Sequence, residues 1–403
     1  MALTRRSFIY VAGAGALAAP FSQKVRAAVT LKIGILLPRS GKQADLGIDC
    51  QRGADVALEV LSKRGYPNFE FLPADTETKE AIARAQAEKL IDQGAHVLVG
   101  CFDSGQTIAA GQVCEQKGIP LVVNIAAVPS LTERGWKTIF RLFPTAIQTT
   151  KDSFEQQKML FQMTGVVPKT ATLLYIHDSL GGPRRDALVK LAPEFQMPYS
   201  VVDTVGYHPG AFDLSAEVRK VKSIGADLLF VVTRLNDGIL VCQEMVKQRF
   251  SPMGIISLGP GWYEVPFMRA LGKYSDDAIS TIAWHDPRKP LAQELDRAFK
   301  AKYPKLELNT NHTYTFEAIL VAVDAFRRAG STEAGKLIEA LRTTDIAENV
   351  VTGPGVKFDQ KGQREGGGAS TIQNLGGKNT VVLPESVAVR KPTWPMRPWS
   401  DRI

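Results

Sequence analysis

From Leu31 onward the chain alternates short apolar runs with amphipathic stretches, and this alternation restricts it to an α/β architecture built on a largely parallel sheet. Residues 31–37 read as a strand, and Ala54, Ala57, Leu58 and Leu61 mark one face of a helix that ends near Gly65. Residues 69–72 give a second strand. Ala83, Ala87, Leu90 and Ile91 then share a helical face that stops at Gly94. Strands at 96–100 and 120–123, with a helix at 106–117 between them, complete one doubly wound unit by about Thr145. A second unit follows, with strands expected at 171–176, 200–204, 227–232 and 254–258. After an apolar run at 280–284, helices expected at 290–303, 312–329 and 332–342 have no following strand of their own. They are expected to return and cover the first unit.

A length of 403 residues, 44% hydrophobic and 22% charged, suits two ordered domains and excludes a disordered chain. The formal net charge is +8, but the basic residues are scattered, and residues 1–27 alone supply four of them with no acid. The remaining excess suggests solubility more than nucleic-acid binding. Cys50, Cys101, Cys114 and Cys242 show no metal-binding spacing. Cys114 and Cys242 fall in apolar helical runs. Cys50 and Cys101 are read near strand ends, which leaves a disulfide between them open.

The first residues place Arg5-Arg6 before an apolar stretch from Ile9 to about Phe21, followed by Val25-Arg26-Ala27. A basic start, a short apolar middle and small residues at minus three and minus one form an export signal with cleavage expected before Ala28. The apolar part is too short for a membrane span. Thr4-Arg5-Arg6-Ser7-Phe8-Ile9 resembles the twin-arginine export motif, and no cysteine stands at the cleavage site to carry a lipid.

Across the mature chain, the sequence resembles the leucine-binding-protein-like receptors, the type I periplasmic binding proteins. The resemblance rests on Lys32-Ile-Gly-Ile-Leu-Leu-Pro-Arg-Ser-Gly41, Gly100-Cys-Phe-Asp-Ser-Gly-Gln-Thr107, Gly118-Ile-Pro120, Leu131-Thr-Glu-Arg-Gly135, Ile139-Phe-Arg-Leu142 and Gly259-Pro-Gly261, taken as a collinear set. It implies two doubly wound Rossmann-like lobes joined by a three-strand hinge, with crossings near Thr145, Ile279 and Val351. The expected division is an export signal at 1–27, a first lobe of 28–145 plus 280–351, and a second lobe of 146–279 plus 352–403. Solute would bind between the lobes, at the carboxyl ends of both sheets.

The resemblance also points to a solute site. Ser104 matches the serine that meets a solute carboxylate, at the start of a helix whose dipole and free N–H groups would help. Asp103 or Ser104 could equally serve as a plain helix cap. Ala126 and Ala127 match the second anchoring loop, where the usual threonine is missing and only backbone N–H groups remain. Gly261 follows Gly259-Pro260 where amino-acid receptors place an acid for the solute ammonium, which argues against an ordinary α-amino acid. Trp262, Tyr263, Trp284 and Tyr314 offer aromatic walls, or simple packing, and Leu46 an aliphatic one. Arg234, at a strand end in the second lobe, reads as a carboxylate clamp or as the partner of nearby Asp237. Gly182, in the loop His177-Asp-Ser-Leu-Gly-Gly-Pro183, allows close backbone approach to a solute or merely a turn.

Enzyme motifs are lacking. The five histidines show no metal spacing, no Gly-x-Ser-x-Gly elbow occurs, and Gly330-Ser-Thr-Glu-Ala-Gly-Lys336 lacks the Ser or Thr of a phosphate loop. The expectation is a monomeric periplasmic protein without cofactor or metal. It would bind a small amino acid or an aromatic or aliphatic carboxylic acid and hand it to ABC permease and ATPase subunits. The alternative is a ligand sensor feeding a membrane signalling protein.

Overall fold

The structure, a computed structural model, describes residues 29–402; the expected export signal at 1–27 and the expected cleavage before Ala28 lie outside the described residues. The first lobe opens with β1 (Leu31–Leu37), α1 (Ala44–Lys63), β2 (Phe69–Asp75), α2 (Glu80–Asp92), β3 (Val97–Gly100) and α3 (Ser104–Lys117). It continues with β4 (Leu121–Val123), α4 (Ser130–Glu133) and β5 (Ile139–Arg141). The five strands are parallel, in the order β2-β1-β3-β4-β5. Alternate residues of these strands feed two cores on opposite faces of the sheet, Ile33, Val97 and Val122 on one and Leu36, Leu98 and Leu121 on the other.

The second lobe comprises α5 (Ala146–Thr164), β6 (Thr170–Ile176), α6 (Gly181–Glu194), β7 (Ser200–Tyr207), α7 (Ser215–Ile224), β8 (Leu228–Val232), α8 (Leu235–Lys247), β9 (Gly254–Ser257), α9 (Val265–Leu271) and β10 (Ile279–Ala283). The chain then leaves for α10 (Pro290–Lys302), α11 (Thr310–Ala329) and α12 (Ala334–Arg342), followed by the short pair β11 (Asp345–Ile346) and β12 (Val356–Lys357). It returns as the hairpin β13 (Ala369–Leu375) and β14 (Lys378–Leu383). The second sheet runs β14-β13-β10-β9-β8-β6-β7, with β13 antiparallel to both of its neighbours.

As expected, the late helices cover the first sheet. α11 lies along α1 so closely that a Cβ at Gly53 would sit 2.3 Å from the His312 carbonyl oxygen, which requires glycine there. Two crossings differ from expectation. β10 pairs with β9 and β13, so the chain leaves the second sheet after Ala283 and not near Ile279. Arg141 still bridges Gln363 beside the first sheet, so the last crossing falls between 364 and 369 and not near Val351. The β13–β14 hairpin went unread in the sequence.

The cysteine reading also changes. Cys50 lies inside α1 rather than at a strand end, and all four cysteines are free and buried. Cys50 belongs to the core on the α11 face of the sheet and Cys101 to the core on the opposite face, so the sheet itself separates them. Among the described residues, no helix is long and apolar enough to cross a membrane.

Candidate functional site

The strand order reverses between β1 and β3 in the first sheet and between β6 and β8 in the second. Reversals of this kind open crevices above the strand ends, and here the two crevices face each other. From the first lobe, the wall of an inner pocket consists of Gln43 after β1, Phe102, Asp103 and Ser104 after β3, and Ile125, Ala126 and Ala127 after β4. Leu180 and Arg184 after β6, Arg234 after β8, and Pro260 and Tyr263 after β9 supply the second wall. The lobes close this pocket to about 30 Å³, the room of one or two waters. An outer pocket of about 450 Å³ adjoins it, and Gln43, Asp103 and Arg234 line both.

The first-lobe wall presents donors. Asp103 is the cap of α3, its Oδ1 accepting the Gly105 and Gln106 N–H groups at 2.9 and 3.4 Å. That leaves the Ser104 hydroxyl with no hydrogen bond among the described residues, on the pocket wall at the helix N-terminus. The N–H groups of Ala126 and Ala127 likewise meet no acceptor among the described residues. Asn124 ties these loops together. Its Oδ1 accepts the Phe102 N–H at 3.2 Å, and its Nδ2 donates to Thr315 of α11 at 3.0 Å.

Arg234 joins the lobes. Its Nη2 and Nε donate to Asp103 Oδ2 at 2.8 and 3.2 Å, and its Nη1 donates to Asp178. The expected neighbour Asp237 accepts instead from the Tyr207 hydroxyl at 3.2 Å. Burial opposes the charge on Arg234, but the two carboxylates more than offset it and raise its pKa. Burial likewise opposes ionisation of Asp103, and the Arg234 charge and hydrogen bonds overcome it, holding the carboxyl below its usual range. Asp178 Oδ1 also accepts the Leu180 and Gly181 N–H groups in the turn that leads into α6. The arginine read as a solute clamp is therefore held by the protein's own carboxylates, between the inner and outer pockets.

A second arginine on the pocket wall went unread. Arg184 is 3% exposed and donates to the carbonyls of Leu258 and Leu180. Among the described residues no carboxylate lies within salt-bridge distance of it. Burial pushes its pKa down to about 10, so it stays charged at neutral pH. The sequence did carry a signal. Arg184 is in phase with Ala187, Leu188 and Leu191 on the buried stripe of α6, whereas Arg185 pairs with Asp186 at the surface.

Other expected wall residues lie elsewhere. The Trp262 ring is fully buried against Phe267, with centroids 4.9 Å apart, because the turn after β9 points it into the second lobe. Trp284 stacks on His285, and Tyr314 packs behind Phe143. Leu46, in the first turn of α1, is buried in the core, and Gly182 does not line the pocket. Tyr263 does line it, with a buried hydroxyl that has no partner in good hydrogen-bond geometry among the described residues. At Gly261 a Cβ would lie 2.3 Å from Thr233 Oγ1 and 2.5 Å from the Arg234 carbonyl oxygen. This position packs beneath the β8–α8 turn, so glycine is required there by close approach and the residue is not a place where a pocket acid is missing.

A family model described as periplasmic binding protein matches residues 30–373. The chain is 28% identical over 382 residues to a Leu/Ile/Val-binding protein homolog of Brucella abortus, covering 90% of this chain and 92% of that protein. The fold is similar to a leucine-binding protein of Thermotoga maritima, with TM-score 0.77 and 20% identity over 87% of this chain and 97% of that one. It is also similar to a Rhodopseudomonas palustris solute-binding protein solved with benzoate, with TM-score 0.74 and 18% identity over 90% of this chain and 100% of that one. These are binders of solutes and not enzymes. With its two lobes, its facing strand-order reversals and this match over most of its length, the chain belongs to the type I periplasmic binding protein family, among proteins like the leucine/isoleucine/valine-binding ones.

Proposed function

We propose that this protein is the exported solute-binding component of an ABC importer, holding a small carboxylate-bearing solute between its lobes and delivering it to permease and ATPase subunits in the membrane. The observation that carries the reading is the unengaged Ser104 hydroxyl beside the N-terminus of α3, on the wall of a pocket that both lobes build. Such a helix start favours negative charge, and the Ala126 and Ala127 N–H groups add donors. Relatives of similar fold were solved with isoleucine and with benzoate, each of which bears a carboxylate group. Residues 1–27 fit a twin-arginine export signal, and N-terminal sequencing of periplasmic material should begin at Ala28.

Native mass spectrometry of the purified protein is expected to show a retained acid, and titration calorimetry should find one site. Ser104→Ala should then weaken binding about ten- to a hundredfold, the worth of one hydrogen bond to a charged acceptor, about 1.5–3 kcal/mol. The thermal midpoint of the variant without solute should be unchanged. Equal affinity in the two proteins would remove Ser104 from the site.

A further inference from the structure

Resting on that reading of the cleft, we propose that Arg184, seconded by the Tyr263 hydroxyl, is the second-lobe receptor for a negatively charged group of the solute. The protein then takes solutes of net negative charge, carboxylates without a free ammonium, and rejects zwitterionic amino acids.

Charge balance between the lobes favours an anion. Two arginines and one aspartate, Asp103, line the inner pocket, and Asp178 lines the outer one. Asp103 and Asp178 are both engaged by Arg234 and by backbone N–H groups, those of Gly105 and Gln106 for Asp103 and those of Leu180 and Gly181 for Asp178. Asp103 Oδ2 also accepts from Gln43 Nε2 at 3.1 Å, so neither acid is left to meet an ammonium group. Arg184, 97% removed from solvent, has only neutral carbonyl acceptors. A buried guanidinium without a counter-ion is costly, and a solute carboxylate on the shared wall supplies that charge. Tyr263, 1% exposed, lines the same wall, and its buried hydroxyl meets no acceptor in good hydrogen-bond geometry among the described residues; burial, and next the neighbouring Glu264 carboxyl, push its pKa well up. An ammonium group would meet a cation and a phenol there. The nearest acid in sequence, Glu264, does not line the pocket: it takes Asn311 Nδ2 at 3.1 Å, and burial raises its pKa well above the usual range, favouring the neutral form.

The test uses matched pairs that differ only in the group at the α-carbon: leucine against 4-methyl-2-oxopentanoate and valine against 3-methyl-2-oxobutanoate, with benzoate as a further acid. Calorimetry on the wild-type protein should show each 2-oxo acid binding at least about tenfold more tightly than its amino acid. Arg184→Gln should lower affinity for the acids about ten- to a hundredfold and erase most of the preference within each pair. Tyr263→Phe, which keeps the packing, should cost the acids about two- to tenfold and guards against a folding defect in the arginine variant. Arg184→Lys should fall between wild type and Arg184→Gln, because it keeps charge but loses the planar fork. A wild-type preference for leucine over its 2-oxo acid overturns the proposal, as do undiminished acid affinities in both Arg184→Gln and Tyr263→Phe. If Ser104→Ala weakens binding while those two variants do not, the cleft reading stands and this proposal alone fails. If none of the five probes binds, or if Ser104→Ala is also silent, the cleft reading fails and takes this proposal with it.

Discussion

Replacing Arg234 with methionine is expected to open the protein and to weaken solute binding about a hundredfold. The guanidinium is the link between Asp103 of the first lobe and Asp178 of the second, and its side chain is 20% exposed. Breaking one side of a largely buried pair typically costs about 3–5 kcal/mol, and partial exposure favours the lower end of that range. In the open form water solvates all three groups, so the loss falls almost wholly on the closed form. Affinity falls in the same proportion as the closed population, because only that form engages the solute from both sides. Small-angle scattering of the solute-free variant should show a larger radius of gyration than that of the wild-type protein. Raised salt should narrow the difference. Identical scattering and identical affinity would make the pair a bystander of closure.

The second large effect concerns pH. Glu317, in α11, is fully buried. One oxygen accepts the Val350 N–H at 2.9 Å and the other has no partner among the described residues. Burial raises its pKa to about 7, against the opposing pull of the Val350 N–H, Arg364 and Lys289. The folded carboxyl thus keeps its proton to higher pH than the unfolded one. The stability it contributes is fully present below about pH 4.5 and is lost as pH rises through 7. Between pH 5 and 8 the wild-type protein should therefore lose about 2–3 kcal/mol relative to Glu317→Gln, measured by denaturant melts of both. The comparison has to be differential. His285, whose Nδ1 is buried without a partner, is held down to about 4 by desolvation, and its contribution grows with pH over an overlapping window. Both proteins share that contribution and the one from Glu264. A pH-independent difference would mean that Glu317 is ionised in the folded state at pH 5.

The candidate site was only partly legible in the sequence. Ser104 was located through the resemblance, in the loop after a strand, with Asp103 or Ser104 as the alternative caps; which of them caps the helix required the coordinates. Arg234 was placed at the right strand end, but its partners stand 131 and 56 residues away, beyond the reach of any local pattern. Trp262 and Tyr263 are adjacent, and their opposite fates depend on how one short turn packs. Arg184 is marked in the sequence only by its phase with Ala187, Leu188 and Leu191 on α6, a weaker signal than the aromatics gave.

The sequence by itself determined the alternating architecture, the division into two doubly wound units and the position of the loops that bear the site. Backbone periodicity and helix stops act over a few residues and are written locally. The tertiary structure decided which charges meet. It put the sheet between Cys50 and Cys101, assigned the Arg234 guanidinium to two carboxylates and left that of Arg184 without one. These outcomes depend on loops brought together by strand order across two lobes, and the energy of a buried charge is set by every group around it in space and not by its neighbours in the chain.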